Sequence, residues 1–299
     1  MKILVLKGGS SNEREVSLRS AANIESALEA EGHEVISADP TDQGFNIEAL
    51  VEGVDAVFPI LHGKGGEDGA LQADLEKLDV PFMGSRSEAS SLTFDKIRYK
   101  QFLSENGVLT PNWQVVDVDT FEDAGLKEQS FVLKPIEGGS SIDTHIVHNP
   151  LHQALDFSEV LRRYDKMLLE ELIEGQELTV GVLDDTALPV ILIVPPVGEE
   201  FDYENKYNGK TQEIVNPEDV PQDIQDEAKA VALRIHQLTG CRHISRTDFI
   251  LAPSGSLYVL ETNTIPGLTE ESLFPKAASA HGYDMKKLVS HFVKISLKK

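Results

Sequence analysis

Residues 246–263, RTDFILAPSGSLYVLETN, gather an arginine, two carboxylates and an amide in one candidate β-hairpin. If Ser254-Gly255 forms a two-residue loop, pairing counts outward symmetrically, so Asp248 lies opposite Glu261 and Arg246 opposite Asn263. Side chains alternate faces along a strand, so these four share one face, with cross-strand Cβ separations of roughly 5 Å. An odd-length loop would shift the pairing by one and break the constellation. Two anionic ligands and an amide oxygen suit a hard cation such as Mg²⁺, which keeps waters and bridges nucleotide phosphates. The arginine can hold a negatively charged reacting group. A surface hairpin with one salt bridge is the plainer reading. Against it, the runs FIL and LYVL place both strands in a core, where unpaired carboxylates are costly.

Three further stretches carry usable chemistry. SFVLKPIEGGSS sets Lys134 at the end of an apolar strand before a turn of two glycines and two serines. Backbone N–H groups of such a turn can wrap phosphate oxygens while the lysine neutralises them, although the lysine precedes the glycines and an exposed loop is the plainer reading of this stretch alone. MLLEELIEGQELTVG carries Glu170 and Glu177 around the Leu172-Ile173 pair. Backbone there could meet an adenine edge while Glu177 binds a ribose hydroxyl; solvated acids on a strand edge fit the same residues. His62 opens the turn HGKGGEDG at a strand end, where ligands of α/β sheets collect; a structural turn histidine fits the position equally. The run His145, His148 and His152 loosely suggests a transition-metal site. Pro150 interrupts any single helix face, and no cysteine or carboxylate pair completes a ligand set.

These residues need elements to hold them. KILVL at 2–6 reads as a buried parallel strand, followed by a glycine-serine turn and a helix over about 13–31 that Asn12 can cap. Val16, Ala21, Ile24, Ala27 and Leu28 give that helix its apolar stripe, and Gly32 ends it. HEVISA and DAVFPIL continue a βαβ pattern, and a helix near 69–78 follows, so residues 1–84 read as a doubly wound α/β domain. Its two glycine-rich turns, 8–12 and 62–69, face one crevice. SEASSLTFDKIRYKQFLSENG reads as helical and opens a smaller α+β domain over 85–178, with a second helix at 150–163. The remainder, 179–299, holds PVILIVPP, a polar stretch with few strand signals, a helix near 221–239, the hairpin and a final helix. That polar stretch, FDYENKYNGKTQEIVNP, is long enough to serve as a mobile loop.

A formal charge of −23 over 299 residues repels nucleic acid and acidic membranes, so an anionic ligand must find locally clustered bases. The single cysteine, Cys241, excludes an internal disulfide and fits a reducing compartment. The opening MKILVLKGGSS is too short in apolar residues for a signal peptide, and no run approaches the ~18 apolar residues that span a bilayer. The expectation is a soluble cytoplasmic protein.

Eight stretches occur in order along nearly the whole chain: GGSSNEREVSLRSA, HGKGGEDGALQADLE, VPFMGS, DKIRYK, LKPIEGGSS, DYENKY, RTDF and ETNTIPGLTEESL. As a set they resemble the D-alanine-D-alanine ligases of the ATP-grasp superfamily. The resemblance implies a three-domain architecture, α/β and α+β, and ATP-dependent joining of two D-alanines for peptidoglycan through an acylphosphate. By motif, Glu13 would bind the first substrate's ammonium with His62 nearby, and Lys96 and Lys134 would hold ATP phosphates. Glu170, Leu172 and Glu177 would line the adenosine site. Asp248, Glu261 and Asn263 would bind two Mg²⁺, with Mn²⁺ as a substitute. Arg246 and the Gly267 N–H would stabilise the oxyanion, and Ser272 and Leu273 would receive the second substrate's carboxylate. Ser140 and Tyr207 would link a serine loop to the polar loop, with Lys206 reaching the γ-phosphate. The family is commonly homodimeric.

Lys206-Tyr207 matches dipeptide formers, whereas ligases making D-alanine-D-lactate usually carry histidine. A D-alanine-D-serine ligase and a catalytically silent ATP-binding homologue also compete with the leading reading. One departure bears on the silent homologue. Where the family continues its serine loop with a small apolar residue and a glycine, this chain has Ile142-Asp143-Thr144. An aspartate there would stiffen the loop and repel phosphates unless it points outward or pairs with a cation, so Asp143→Gly is expected to raise turnover or tighten ATP binding.

Overall fold

The computed structural model describes residues 1–139, 142–150, 156–196 and 210–298. Three sheets organise them. Strands β1 (Lys2–Leu6), β2 (Glu34–Ala38) and β3 (Ala56–Pro59) form a parallel sheet of order β2-β1-β3. Ile3, Leu4, Val5 and Leu6 of its central strand are all fully buried, which is why KILVL reads as an unbroken apolar run. Helix α1 (Arg14–Ala30) covers the sheet with the expected stripe, and Gly32 follows it in a left-handed conformation. Its N-cap position falls on Glu13 rather than Asn12, and no side chain caps it. The short α2 (Ile47–Leu50) precedes β3, and α3 (Ala70–Lys77) is the helix expected near 69–78.

A four-stranded antiparallel sheet has the order β4-β7-β5-β6, with β4 at Trp113–Val116, β5 at Phe131–Pro135, β6 at His145–Val147 and β7 at Met167–Glu171. It has its own core, built on Phe121, Phe131, Leu133, Leu161 and Leu169. A third, antiparallel sheet runs β11 (Gln212–Val215), β10 (Ile191–Val194), β8 (Gln176–Leu183), β12 (Ile244–Leu251) and β13 (Leu257–Asn263), with short β9 (Thr186–Ala187) beside β8. Strand β11 lies in the stretch expected to carry few strand signals. Its residues QEIV alternate between exposed and half-buried at a sheet edge, so no apolar run announces it.

The helical stretch after residue 85 is two helices. Asp95 separates α4 (Ser87–Phe94) from α5 (Lys96–Glu105) by accepting from the N–H groups of Ile97 and Arg98 at 2.9 and 3.1 Å, as an N-cap does. Tyr99, Leu103 and Val108 of this segment pack on the third sheet with Leu178, Val180, Phe249 and Val259, not on the four-stranded sheet they were expected to join. Helix α6 (Ser158–Tyr164) is the described part of the helix expected at 150–163, and its Val160 and Leu161 sit in the core of the four-stranded sheet. Helix α7 (Gln222–Thr239) covers the same face of the third sheet as α5 through Ala228, Ala232 and Ile235. The chain ends in two helices, α8 (Leu273–Ala280) and α9 (Met285–Ser296), where one was expected. Phe274 and Phe292 from them join Ile3, Ile24, Phe58 and Leu183 in one core, so the first and third sheets are fused. No helix among the described residues is long and apolar enough to cross a membrane.

Candidate active site

The hairpin reaches its expected register by an unexpected route. Near the turn the pairs are Leu251 with Leu257 and Phe249 with Val259, while further out they are Asp248 with Glu261 and Arg246 with Asn263. The loop is therefore odd: Ala252 N–H bonds the Ser256 carbonyl at 2.9 Å, and Pro253, Ser254 and Gly255 turn between them. Gly255 takes the positive φ, 87°, that closes such a loop. Leu260 then inserts as a bulge that restores the pairing. Thr262 faces the core, bonded to Tyr99 and Thr247, so Glu261 and Asn263 turn toward the cleft with Asp248.

Asp248 is held from three sides. Arg246 meets it with two bonds of 2.9 and 2.8 Å, Thr179 donates at 2.6 Å, and the Asn263 amide donates at 3.3 Å. With its amide nitrogen turned to Asp248, Asn263 can offer its carbonyl alongside the Glu261 and Asp248 carboxylates. That is an all-oxygen set, the chemistry a hard divalent cation selects.

The hairpin closes the inner end of a cleft of about 1080 Å³. One wall comes from the four-stranded sheet through Val132, Lys134, Ile146 and Glu170; the opposing wall comes from Leu192, Val194, Ile250 and Leu260. Glu170 is almost wholly buried, its two oxygens each 2.6 Å from an ammonium, Lys100 on one side and Lys134 on the other. Burial works to raise its pKa, but the two lysines prevail and hold it below the usual carboxylate range. Lys96, first residue of α5, donates to the Gly138 carbonyl at 2.6 Å, and burial together with nearby Lys134 lowers its pKa against the pull of Glu261. Leu172 and Glu177 also line the cleft. The Leu172 N–H is already given to the Ser130 carbonyl at 3.0 Å, so a base edge seeking a backbone donor here would have to meet Ile173, the next residue along the cleft.

At the cleft's other side the two glycine-rich turns of the first sheet meet, as expected: Ser11 Oγ donates to the His62 carbonyl at 2.6 Å. Glu13 reaches between them. A Cβ on Gly63 would stand 2.8 Å from its carboxylate, and one on Gly139 would stand 2.9 Å from it, so both glycines are needed for its approach. His62 lies behind this surface. Its Nε2 meets Ser20 Oγ at 3.2 Å and its Nδ1 the Ile265 carbonyl at 3.0 Å, and burial lowers its pKa, so the neutral ring braces the segment after β13. Within that segment a Cβ on Gly267 would lie 2.7 Å from Ser272 Oγ, which itself bonds Thr269. Ser272 and Leu273 begin α8, whose first N–H groups favour an anion.

Two residues that support this site were not singled out from sequence. Glu67, inside HGKGGEDG, accepts from Gly63 N–H at 2.9 Å and Ile265 N–H at 3.2 Å. Burial, with Glu13 close by, pushes its pKa to about 8, so Glu67 is largely protonated at neutral pH. Lys100 follows Lys96 by four residues in DKIRYK, one helical turn along the same face, which is the signal that could have marked it. Asp143 departs from expectation. It adopts φ 52° and turns to α6, accepting from Tyr164 Oη at 2.5 Å and from Arg163 at 3.2 Å, so the premise that it repels phosphates fails. Ser140, Lys206 and Tyr207, with His152 of the histidine run, lie outside the described residues.

Two antiparallel sheets closing on a lysine-bearing cleft, with an acidic hairpin at its inner end, constitute an ATP-grasp enzyme. Comparison narrows this. The profile for the D-ala D-ala ligase N-terminus matches residues 37–85, and that for the D-ala D-ala ligase C-terminus matches residues 103–294; the chain belongs to the D-alanine–D-alanine ligase family. It is 40% identical to the D-alanine–D-alanine ligase of Syntrophotalea carbinolica, over 98% of this chain and 95% of that protein. With the Aquifex aeolicus enzyme of the same name it shares 37% over 97% and 99%. The crystal structure of the Bacillus anthracis D-alanine–D-alanine ligase complexed with ATP superposes with a TM-score of 0.85 at 29% identity, over 99% of this chain and 97% of that one.

Proposed function

We propose that this enzyme joins two D-alanines into D-alanyl-D-alanine at the expense of ATP, for cell-wall peptidoglycan. The supporting observation is a cleft lined by Lys96, Lys134, Asp248, Glu261 and Glu13, with a small pocket beside it where Asn263 joins Glu13, Lys96 and Glu261. ATP would lie between the two sheets, its base edge at residues 172–173 and its ribose at Glu177. Lys96 and Lys134 would neutralise phosphates, with Lys206 expected to reach the γ-phosphate. Asp248, Glu261 and Asn263 would hold magnesium, which supplies charge neutralisation for the transferring phosphoryl group.

Glu13 would fix the first D-alanine's ammonium. That substrate's carboxylate oxygen attacks the γ-phosphorus, the bond to the β–γ bridging oxygen breaks, and ADP leaves behind an acylphosphate. The amine of the second D-alanine, its carboxylate at Ser272 and Leu273, attacks the activated carbonyl. Arg246 and the Gly267 N–H would stabilise the resulting oxyanion; collapse expels phosphate and the amine's proton and leaves the amide. Gly267 suits this because a side chain there would strike Ser272. Closure over the acylphosphate excludes water, the role expected of Ser140 and Tyr207.

The test is ADP release and product analysis with Mg²⁺, ATP and D-alanine, then with D-lactate or D-serine added. D-alanine-stimulated ADP release with dipeptide as the main product is expected. No stimulation would identify a silent nucleotide-binding protein, and a depsipeptide or mixed dipeptide would move the specificity. We further read the protein as a cytoplasmic homodimer; light scattering at about twice 32.9 kDa is the expected result.

A further inference from the structure

Lys100 holds a carboxylate and a hydroxyl from behind the cleft wall. It is 1% exposed on α5, at the back of Glu170 and Lys134, both of which line the cleft. Its ammonium lies 2.6 Å from Glu170 Oε1 and donates to Thr110 Oγ1 at 2.7 Å. Thr110 in turn donates to the Val259 carbonyl of β13 at 2.8 Å, and Val259 N–H bonds the Leu109 carbonyl, also at 2.8 Å. A lysine is almost never buried to this degree without a charge to answer. Here two ammoniums answer one carboxylate, so the cluster keeps one net positive charge, and the exposed edge of that cluster is Lys134.

We infer that Lys100 is a positioning residue for nucleotide binding: by neutralising Glu170 from behind, it leaves the Lys134 ammonium available to phosphates and ties Glu170 to the metal hairpin through Thr110. Without Lys100, Lys134 and Glu170 form a closed neutral pair. Lys134 would then have to leave a buried carboxylate uncompensated in order to serve a phosphate, a strongly unfavourable exchange. The inference rests on the proposed function, in which Lys134 and Glu170 face ATP.

The experiment measures ATP KM, D-alanine KM and kcat for the full enzyme with Lys100→Met, alone and combined with Glu170→Gln. Lys100→Met is expected to raise the ATP KM by about tenfold while leaving the first D-alanine KM within about twofold. In the Glu170→Gln background the same change is expected to add less than about threefold, because the charge it answers is gone. Lys100→Arg should restore most of the ATP affinity. A merely structural lysine would lower kcat and melting temperature equally in both backgrounds, without this split. Thr110→Val, which removes the second partner but no charge, covers the case in which Lys100→Met does not fold; its ATP KM is expected to rise about threefold. An unchanged ATP KM in the foldable variant, or equal losses in the two backgrounds, overturns the inference. Absence of D-alanine-stimulated ADP release in the unaltered enzyme would instead sink the ligase reading itself.

Discussion

Asp143 shows how a single residue's meaning depends on where its carboxylate points. Its position in a loop expected to face phosphates makes repulsion the natural expectation, yet Tyr164 and Arg163 claim it, and the tyrosine's pKa rises under the influence of that carboxylate. Aspartate tolerates the left-handed conformation it occupies better than most residues, so the family's glycine is replaced by a side chain that accepts the same backbone and adds a tie to α6. The expectation for Asp143→Gly therefore reverses. The glycine keeps the backbone and loses the tie, which as a half-exposed ion pair is worth roughly 0.2–1 kcal/mol. Steady-state kinetics should show an ATP KM raised up to about fivefold, the ratio that 1 kcal/mol corresponds to; a lowered KM would restore the repulsion argument. The Glu13–Glu67 pair follows the same logic of placement. Burial, with the Glu13 carboxylate close by, makes Glu67 the carboxyl that gives up its charge.

At the scale of the element, the hairpin was legible in outcome but not in cause. A two-residue loop and a regular ladder place Asp248 opposite Glu261; so do a three-residue loop and a bulge, and sequence spacing does not separate the two. One residue inserted after Leu260 would place Glu261 opposite Thr247 and carry it, with Asn263, to the face now holding Thr262, among Tyr99 and Thr247. An alanine inserted between Leu260 and Glu261 should therefore abolish D-alanine-stimulated ADP release and lose several kcal/mol of stability, since the Glu261 carboxylate would enter a core. Retention of activity would mean the register slips elsewhere at no cost. Strands with continuous burial, KILVL and SFVLKP among them, were readable because apolar runs record burial directly. Edge strand β11 was not, because half its residues face water. Neither Lys100's pairing with Glu170 nor Glu67's with Ile265 could be assigned, because these partners are distant in sequence and only the fold brings them near.

Across the whole molecule, the first and third sheets are joined at a seam that titrates. Arg242 donates to the carbonyls of Gly84 and Phe82 at 3.0 and 3.1 Å and lies 4.8 Å above the Phe82 ring, and His243 Nδ1 accepts from Gly84 N–H at 3.0 Å. Burial, reinforced by Arg242, pushes the His243 pKa down to about 3; burial likewise takes His236 to about 4 and lowers His62. A histidine depressed in the native state contributes stability above its unfolded pKa near 6.5, because below it the unfolded chain binds a proton the native chain refuses. That stability is lost as pH falls from about 6.5 toward the folded values. Glu67 acts oppositely: with its native pKa raised, it favours the folded state increasingly as pH drops from about 8 toward 4.5. The net curve mixes both, so the difference between variants isolates one group. His243→Asn preserves the left-handed backbone, φ 68° in the native chain, and offers a carbonyl to Gly84. Denaturant titrations at several pH values should show the variant gaining on the unaltered protein by roughly 3 kcal/mol between about pH 7 and pH 4.5, at about 1.4 kcal/mol per pH unit below 6.5. Parallel stability curves would show that the imidazole takes up its proton in the folded state, and the seam would then owe its acid response to other groups.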